Sequence, residues 1–211
     1  MELTAAEPRR KGLVQLYLDG EEAVKVDREA FLRAGLRPGD QLSDEELHRL
    51  ILDSDARRAR EKALYLLEHR NHSKRELTEK IARTAASWEA AQAAADHMEE
   101  LGLVDDGAYA RDWAREMFLR KRWGAMRVKQ ELRRKGIDGE LIEELLEEYR
   151  QMDGGGLAAE NVRALLETKY PGWREDEKQR RRAFAALQRR GYSYEEIREG
   201  MAWEDEDFDT D

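Results

Sequence analysis

The 211-residue chain contains no cysteine. Disulfides, thiolate metal sites and a cysteine nucleophile are therefore excluded. Proline is nearly absent, at 3 residues, so long stretches are free to be helical. No run of about 18 apolar residues occurs and the first residues carry no apolar signal region, which predicts a cytoplasmic chain without a membrane span. The 4 histidines are scattered and form no His-Glu-x-x-His or similar ligand pair. A phosphate loop is missing too, because Gly154–Gly156 lacks the Lys-Ser/Thr and the preceding strand that such a loop needs. Glutamate pairs such as Glu143-Glu144 and Glu147-Glu148 repeat at the spacing of a solvated helix face, not of a carboxylate dyad. The expectation is a protein that is not an enzyme, with no catalytic residue, metal or cofactor.

What the chain has in abundance is charge. Charged residues make up 40% of it, well above the roughly one quarter of an average globular protein. Hydrophobic residues are also 40% and stay strongly periodic, so the excess charge marks solvated helix faces rather than disorder.

Residues 1–52 read as a small N-terminal module. Leu13–Leu18 and Ala23–Val26 are β-prone runs around Asp19-Gly20, a pair that supplies the positive φ angles of a tight hairpin. These residues predict strand confined to about 13–26. A short helix is expected at Glu29–Ala34, broken by Gly35 and by Arg37-Pro38-Gly39-Asp40. Ser43-Asp44-Glu45-Glu46 is a capping box that restarts helix.

From about Arg57 the sequence repeats itself three times. Leu77 and Ile81 lie on one face of a short helix; fifty-one residues on, Val128 and Leu132 take those places, and fifty-five further, Ala183 and Leu187. Each of these helices is followed by a turn and a new cap: Thr84-Ala85-Ala86 and Ser87, Lys135-Gly136-Ile137 and Asp138, Arg190-Gly191-Tyr192 and Ser193. Gly136 and Gly191 suit a left-handed position past a helix end, Ala85 departs from that pattern, and Ser87, Asp138 and Ser193 are good N-caps. Preceding helices carry Ala63/Leu66/Leu67, Ala114/Met117/Phe118 and Val162/Leu165/Leu166. The third unit holds about seven extra residues around Tyr170-Pro171-Gly172-Trp173. Closing helices carry Ala91/Ala94/Met98, Leu141/Leu145/Tyr149 and Ile197/Met201. The predicted fold is mainly α: three tandem three-helix repeats at 53–104, 105–153 and 154–203 in an elongated curved array, behind the β-hairpin/helix module. Asp153–Gly156 reads as a hinge. Trp88 and Trp113 fall near apolar stripes and are expected in the core, while Trp123, Trp173 and Trp203 sit at helix ends and are candidates for exposure.

Charge is segregated. Residues 111–135 hold ten Lys/Arg and three Asp/Glu. Arg120, Lys121 and Arg122 lie in this stretch, and on the following helix Arg127, Lys129, Arg133 and Arg134 point away from the Val128/Leu132 stripe. Arg181, Arg182 and Arg189 do the same in the third unit. The two equivalent helices thus offer a basic face suited to a polyanion or an acidic protein groove, against the alternative of solvated faces with local ion pairs. Glu204–Asp211 is the opposite extreme, with six acidic residues of eight supplying two-thirds of the net charge of −9. It reads as a disordered tail that competes for the basic faces.

The residues Leu101-Gly102-Leu103-Val104-Asp105-Asp106, Tyr109-Ala110, Trp123-Gly124, Lys129–Ile137 and Arg189–Tyr194 together resemble the RecX regulatory family, and Ser73–Leu77 resembles its opening motif. The resemblance covers roughly 57–203. It implies a monomeric regulator that lies in the groove of the RecA–single-stranded DNA filament. Such a regulator most often inhibits filament growth, ATP turnover, strand exchange and the SOS coprotease activity that serves DNA repair and recombination. A rival reading is a module that binds single- or double-stranded DNA directly through its basic faces, and a third is a scaffold for another acidic protein. Sequence-specific reading in helix-turn-helix style is disfavoured, because the closing helices open with Trp88-Glu89, Gly139-Glu140 and Tyr194-Glu195-Glu196, where early glutamate repels phosphate.

Overall fold

The structure, a computed structural model, describes residues 1–152 and 156–202. The chain divides into two units, 1–105 and 106–211. The first begins with a three-stranded antiparallel sheet in the order β1 (Leu3–Arg9), β2 (Leu13–Leu18), β3 (Glu21–Asp27). The β2–β3 hairpin forms at the expected pair, with Asp19 and Gly20 at φ 50° and 86°. Strand is not confined to 13–26, however, because β1 adds Leu3–Arg9 to the free edge of β2. Ala5-Ala6-Glu7-Pro8 has little β propensity of its own; cross-strand pairing supplies the order, and Pro8 is tolerated because β1 is an edge strand. Helix α1 (Arg28–Ala34) is capped by the Asp27 carboxylate and ended by Gly35 at φ 68°.

Helix α2 (Asp44–His69) starts at the expected capping box: the Ser43 backbone N–H donates to Glu46 Oε2 at 2.9 Å, and the Glu46 N–H donates to Ser43 Oγ at 3.2 Å. It then runs unbroken through residue 52. Its first half closes the sheet core through Leu50, with Leu3, Leu16, Val26 and Leu42. Its second half joins the first repeat through Ala59 and Ala63. Ser54 sits between the two, accepting from the Asp27 N–H at 2.8 Å. With α3 (Lys74–Ala82) and α4 (Trp88–Glu100), the second half of α2 forms the first three-helix repeat, around Leu77, Ile81, Ala91 and Met98.

The second repeat is α5 (Asp106–Arg115), continued as a π-helical turn (Glu116–Arg120), then α6 (Ala125–Arg134) and α7 (Gly139–Gln151). The third is α8 (Leu157–Lys169), α9 (Glu177–Arg189) and α10 (Tyr194–Ala202). Val128 and Leu132, and then Ala183 and Leu187, occupy the buried places that Leu77 and Ile81 hold in the first repeat. Ser87, Asp138 and Ser193 all cap as expected. Gly136 and Gly191 are left-handed at φ 79° and 91°, which only glycine adopts without cost. Ala85 is not left-handed; its N–H and that of Thr84 both return to the Ile81 carbonyl, an L-residue's way of closing the same turn. On α7 the buried stripe is Ile142, Leu145, Leu146 and Tyr149, with Leu141 at its margin.

Two tryptophans reverse their expected places. Trp88 is the first residue of α4, where its side chain leaves the first turn outward, and it is 53% exposed. Trp173 is buried among Val162, Leu166 and Leu187, because the inserted residues fold back onto α8 and α9 rather than extending outward. Trp113 and Trp123 are both half-buried. Trp203, the acidic residues 204–211 and residues 153–155 of the expected hinge lie outside the described residues. Among the described residues no helix is long and apolar enough to cross a membrane.

Candidate partner-binding surface

The second and third repeats are fastened together by backbone. The C-terminal turn of α9 meets the N-terminal end of α6: Gly124 N–H donates to the Arg190 carbonyl at 2.9 Å and Met126 N–H to the Gly191 carbonyl at 3.1 Å. Helix α6 has no side-chain N-cap, and these carbonyls take that role, satisfying otherwise orphaned donors. The approach demands glycine on both sides. A Cβ on Gly124 would stand 2.2 Å from the Gly191 carbonyl carbon, and one on Gly191 would stand 2.4 Å from the Arg127 nitrogen. Arg190 Nη1 donates to the Lys121 carbonyl at 3.1 Å, and the Tyr192 hydroxyl to the Arg122 carbonyl at 3.0 Å. Burial pushes the Tyr192 phenol well above its ordinary pKa, so it stays a donor. A second tie lies deeper: Asn161 of α8 donates to the Phe118 carbonyl and to the Tyr149 hydroxyl, whose rings stack. The second and third repeats thus meet along a hydrogen-bonded seam.

This seam gathers cations. The π-helical turn delivers Arg120, and Arg122, held left-handed at φ 50°, turns its carbonyl toward Tyr192. Arg120, Lys121 and Arg122 thereby flank Arg190 and its neighbour Arg189. Arg127 lies with its guanidinium 3.9 Å from the centre of the Trp123 ring, which in turn meets Trp113 edge-on. Lys135 stands over Tyr109 and Trp113. Among the described residues no carboxylate lies within ion-pair distance of Arg120, Lys121, Arg122, Arg127, Arg133, Arg182 or Arg189.

The other expected cations are partly satisfied. Lys129 pairs with Glu143 of α7 and holds its carboxyl below the ordinary range. Arg134 pairs with Glu131 at 3.3 Å, and Arg181 with Glu177. Such exposed pairs are worth about 0–1 kcal/mol, so an incoming acid can exchange for them. Arg127 is not the freely outward residue that helical periodicity implies, since its backbone is the surface Gly191 packs on and its side chain is spent on Trp123. Reversing it would disturb the seam. Arg181 and Arg182 lie about two helical turns, roughly 12 Å, from the seam along α9. Arg190, Tyr192 and Lys135 were not among the expected site residues. Arg190-Gly191-Tyr192 stands out in the sequence as a turn, but its contacts with residues some seventy positions earlier leave no local mark.

A family model described as "RecX, second three-helix domain" matches residues 105–146, and one described as "RecX, third three-helix domain" matches residues 158–201. The regulatory protein RecX of Prosthecochloris aestuarii is 32% identical over 150 residues, 71% of this chain and 95% of that protein. That of Halorhodospira halophila is 34% identical over 153 residues, 70% of this chain and 89% of that protein. A regulatory protein RecX of Lactobacillus delbrueckii subsp. bulgaricus is 27% identical over 75% of this chain, which spans only 58% of the length of that relative. A crystal structure of regulatory protein RecX shares the fold with a TM-score of 0.65 at 22% identity, covering 93% of this chain and 98% of the other. The RecX of Lactobacillus salivarius does so with a TM-score of 0.62 at 22% identity, over 72% of this chain and 97% of the other. With its repeat-and-seam residues matched by both domain models and two relatives above 30% identical along more than two-thirds of its length, the chain belongs to the RecX family.

Proposed function

We propose that the protein is a cytoplasmic, non-catalytic regulator that binds the groove of a RecA–single-stranded DNA filament and inhibits its growth and its ATPase, strand-exchange and SOS coprotease activities. Family membership supports the regulatory role, and one observation carries the choice of surface: among the described residues Arg120, Lys121, Arg122, Arg133 and Arg189 have no ion-pair partner around the hydrogen-bonded seam. Uncompensated cations on a preorganised scaffold favour an anionic partner, because no internal pair must be broken first. Lys129, Arg134, Arg181 and Arg182 extend that surface along α6 and α9, and Arg127 is its stacked edge. Cofactors play no part in this reading.

The same cations would also suit a bare phosphate backbone, so direct non-specific DNA binding is the second reading. Affinity for free DNA, for RecA alone and for the RecA–DNA filament separates the two. The proposal expects the filament to bind most tightly, with affinity falling as salt rises. Equal affinity for free DNA and filament would make the protein a DNA-binding module, and binding to none of the three would remove the partner assignment.

A further inference from the structure

The first helix of each repeat turns the same three positions toward a hollow at the edge of that repeat. They are Leu64, Leu67 and Glu68 in the first repeat, Arg115, Phe118 and Leu119 in the second, and Arg163, Leu166 and Glu167 in the third. What stands across from them differs. In the third repeat the inserted residues occupy the place: buried Trp173 and the Arg174 that follows it line the hollow, and about 180 Å³ is left. Arg180 of α9 braces them there, donating to the Trp173 carbonyl at 3.3 Å and to the Arg174 carbonyl at 2.8 Å. In the second repeat Met152 and Tyr149 narrow the hollow to about 270 Å³. In the first repeat only residues 70–73 join α2 to α3, nothing is inserted, and a groove of about 680 Å³ lies open.

Large apolar side chains wall this open groove. Leu64 is 47% exposed, Tyr65 54% and Leu103 49%. Leu103 is held in place by the turn that ends α4: Gly102, left-handed at φ 70°, donates to the Glu99 carbonyl at 2.8 Å, and the Leu103 N–H donates to the Met98 carbonyl at 2.9 Å. Such a turn commonly folds its apolar residue back onto its own helix, whereas Leu103 faces the groove. Several exposed apolar groups around one groove mark an interaction site. The remaining lining says what fits. Glu61 and Glu68 bring two carboxylates, of which Glu61 already pairs with Arg57 at 3.1 Å. The Tyr65 ring already accepts a cation, with Lys62 Nζ 4.8 Å from its centre. Carboxylate and ring complement a basic group, and the leucines complement an aromatic one. Trp173 and Arg174 bring that same pair to the equivalent face of the third repeat. We propose that the groove of the first repeat docks a segment of a partner protein that presents an aromatic side chain next to a basic one. This docking is independent of RecA and of the cations at the seam.

The test follows the methyl resonances of Leu64, Leu67, Leu103 and Leu166 in the full chain while a synthetic peptide of residues 168–174, with blocked ends, is added. The three resonances of the first repeat should shift and saturate. The same peptide carrying Trp173→Ala should bind at least about tenfold more weakly, as expected for an aromatic anchor. In the protein, Leu64→Arg installs the residue type that Arg115 and Arg163 supply at this place in the other repeats, so the fold accommodates it. It should weaken the peptide at least about fivefold by removing an apolar wall and adding a like charge. Glu68→Gln should weaken it up to about fivefold, the equivalent of one exposed ion pair. First-repeat resonances indifferent to the peptide would overturn the proposal, as would shifts that survive both Trp173→Ala in the peptide and Leu64→Arg in the protein. Shifts confined to Leu166 would mean that the peptide only displaces the insertion of the third repeat, and would overturn it too. Shifts that follow protein concentration without peptide would give the groove to a second copy of the chain and overturn docking of a partner.

Discussion

The middle helices of the repeats share one buried stripe but treat their cations in opposite ways. On α3 of the first repeat, Lys74 bridges Asp96 and Glu99 of α4, each at 2.7 Å, Arg75 pairs with Glu79 at 3.0 Å and Lys80 with Glu76 at 3.3 Å. The hydrogen bonds to Asp96 and Glu99 push the Lys74 pKa up, and the Lys74 contact holds Asp96 down. On α6 and α9, by contrast, Arg133, Arg182 and Arg189 have no such partner among the described residues, and the seam adds Arg120, Lys121 and Arg122. Helix α3 thus has each of its cations paired, whereas α6 and α9 mix paired cations with ones that have no ion-pair partner among the described residues. Core residues decide the fold, and the proposed role assigns binding to the copies whose neighbouring helices lack the acidic complement.

The largest effects should not distinguish the copies at all. Leu77→Ala and Leu132→Ala each empty a fully buried site and should each cost about 2–5 kcal/mol in chemical denaturation. A marked inequality would break the structural equivalence on which the comparison rests. Next come two glycines that should differ because one lies at the seam and the other at the open start of α7. Gly191→Ala places a methyl group against backbone at a left-handed position and should cost about 1–3 kcal/mol from overpacking alone. Gly139→Ala, with open space around it, should be within about 1 kcal/mol of neutral or stabilising. If Gly191→Ala melts like Gly139→Ala, the seam is not as close as described.

Much of this was legible in sequence. The repeat period, the apolar stripes, the capping residues and the glycine turns could be read because each is local and periodic. Other features were not, for physical reasons that differ from case to case. Strand β1 depends on pairing with β2 more than on its own residues. Trp173 is buried because an insertion folds back, and periodicity says nothing about insertions. The partners of Lys129 and the stacking of Arg127 on Trp123 depend on how neighbouring helices are rotated. The cations were visible as a group, but which of them are neutralised was not. Trp123-Gly124 and Arg190-Gly191-Tyr192 carried the family resemblance, and their contacts show why these residues belong together: they form the two sides of one seam.

The smallest expected effect sharpens the contrast from the first repeat's side. His72 is buried, with Nδ1 2.8 Å from the Arg70 carbonyl and Nε2 2.8 Å from Lys80 Nζ. Nδ1–H donates to the carbonyl and Nε2 accepts from the ammonium, so the fold needs the neutral ring. Burial is the main cause that lowers its pKa, with the Arg70 and Lys80 charges adding to it. A lowered folded-state value means that the unfolded chain binds the proton more readily. The stabilisation is therefore fully present above about pH 6.5 and is lost as pH falls through the unfolded and then the folded value. Denaturation between pH 8 and pH 5 should show this loss, and His72→Gln should flatten it. A profile unchanged by His72→Gln would assign the acid sensitivity to other groups.

The central claim is that the open cations, not cations in general, bind the partner. Its most direct measurement is the affinity for a RecA–single-stranded DNA filament across a salt series, for the unaltered chain, for Arg120→Glu/Lys121→Glu/Arg133→Glu, and for Arg75→Glu on α3. The account predicts that the triple variant stays folded, binds at least tenfold more weakly at low salt and shows a shallower salt dependence, while Arg75→Glu binds like the unaltered chain. A folded triple variant with unchanged affinity and salt slope, or an Arg75→Glu chain that loses as much, would contradict it.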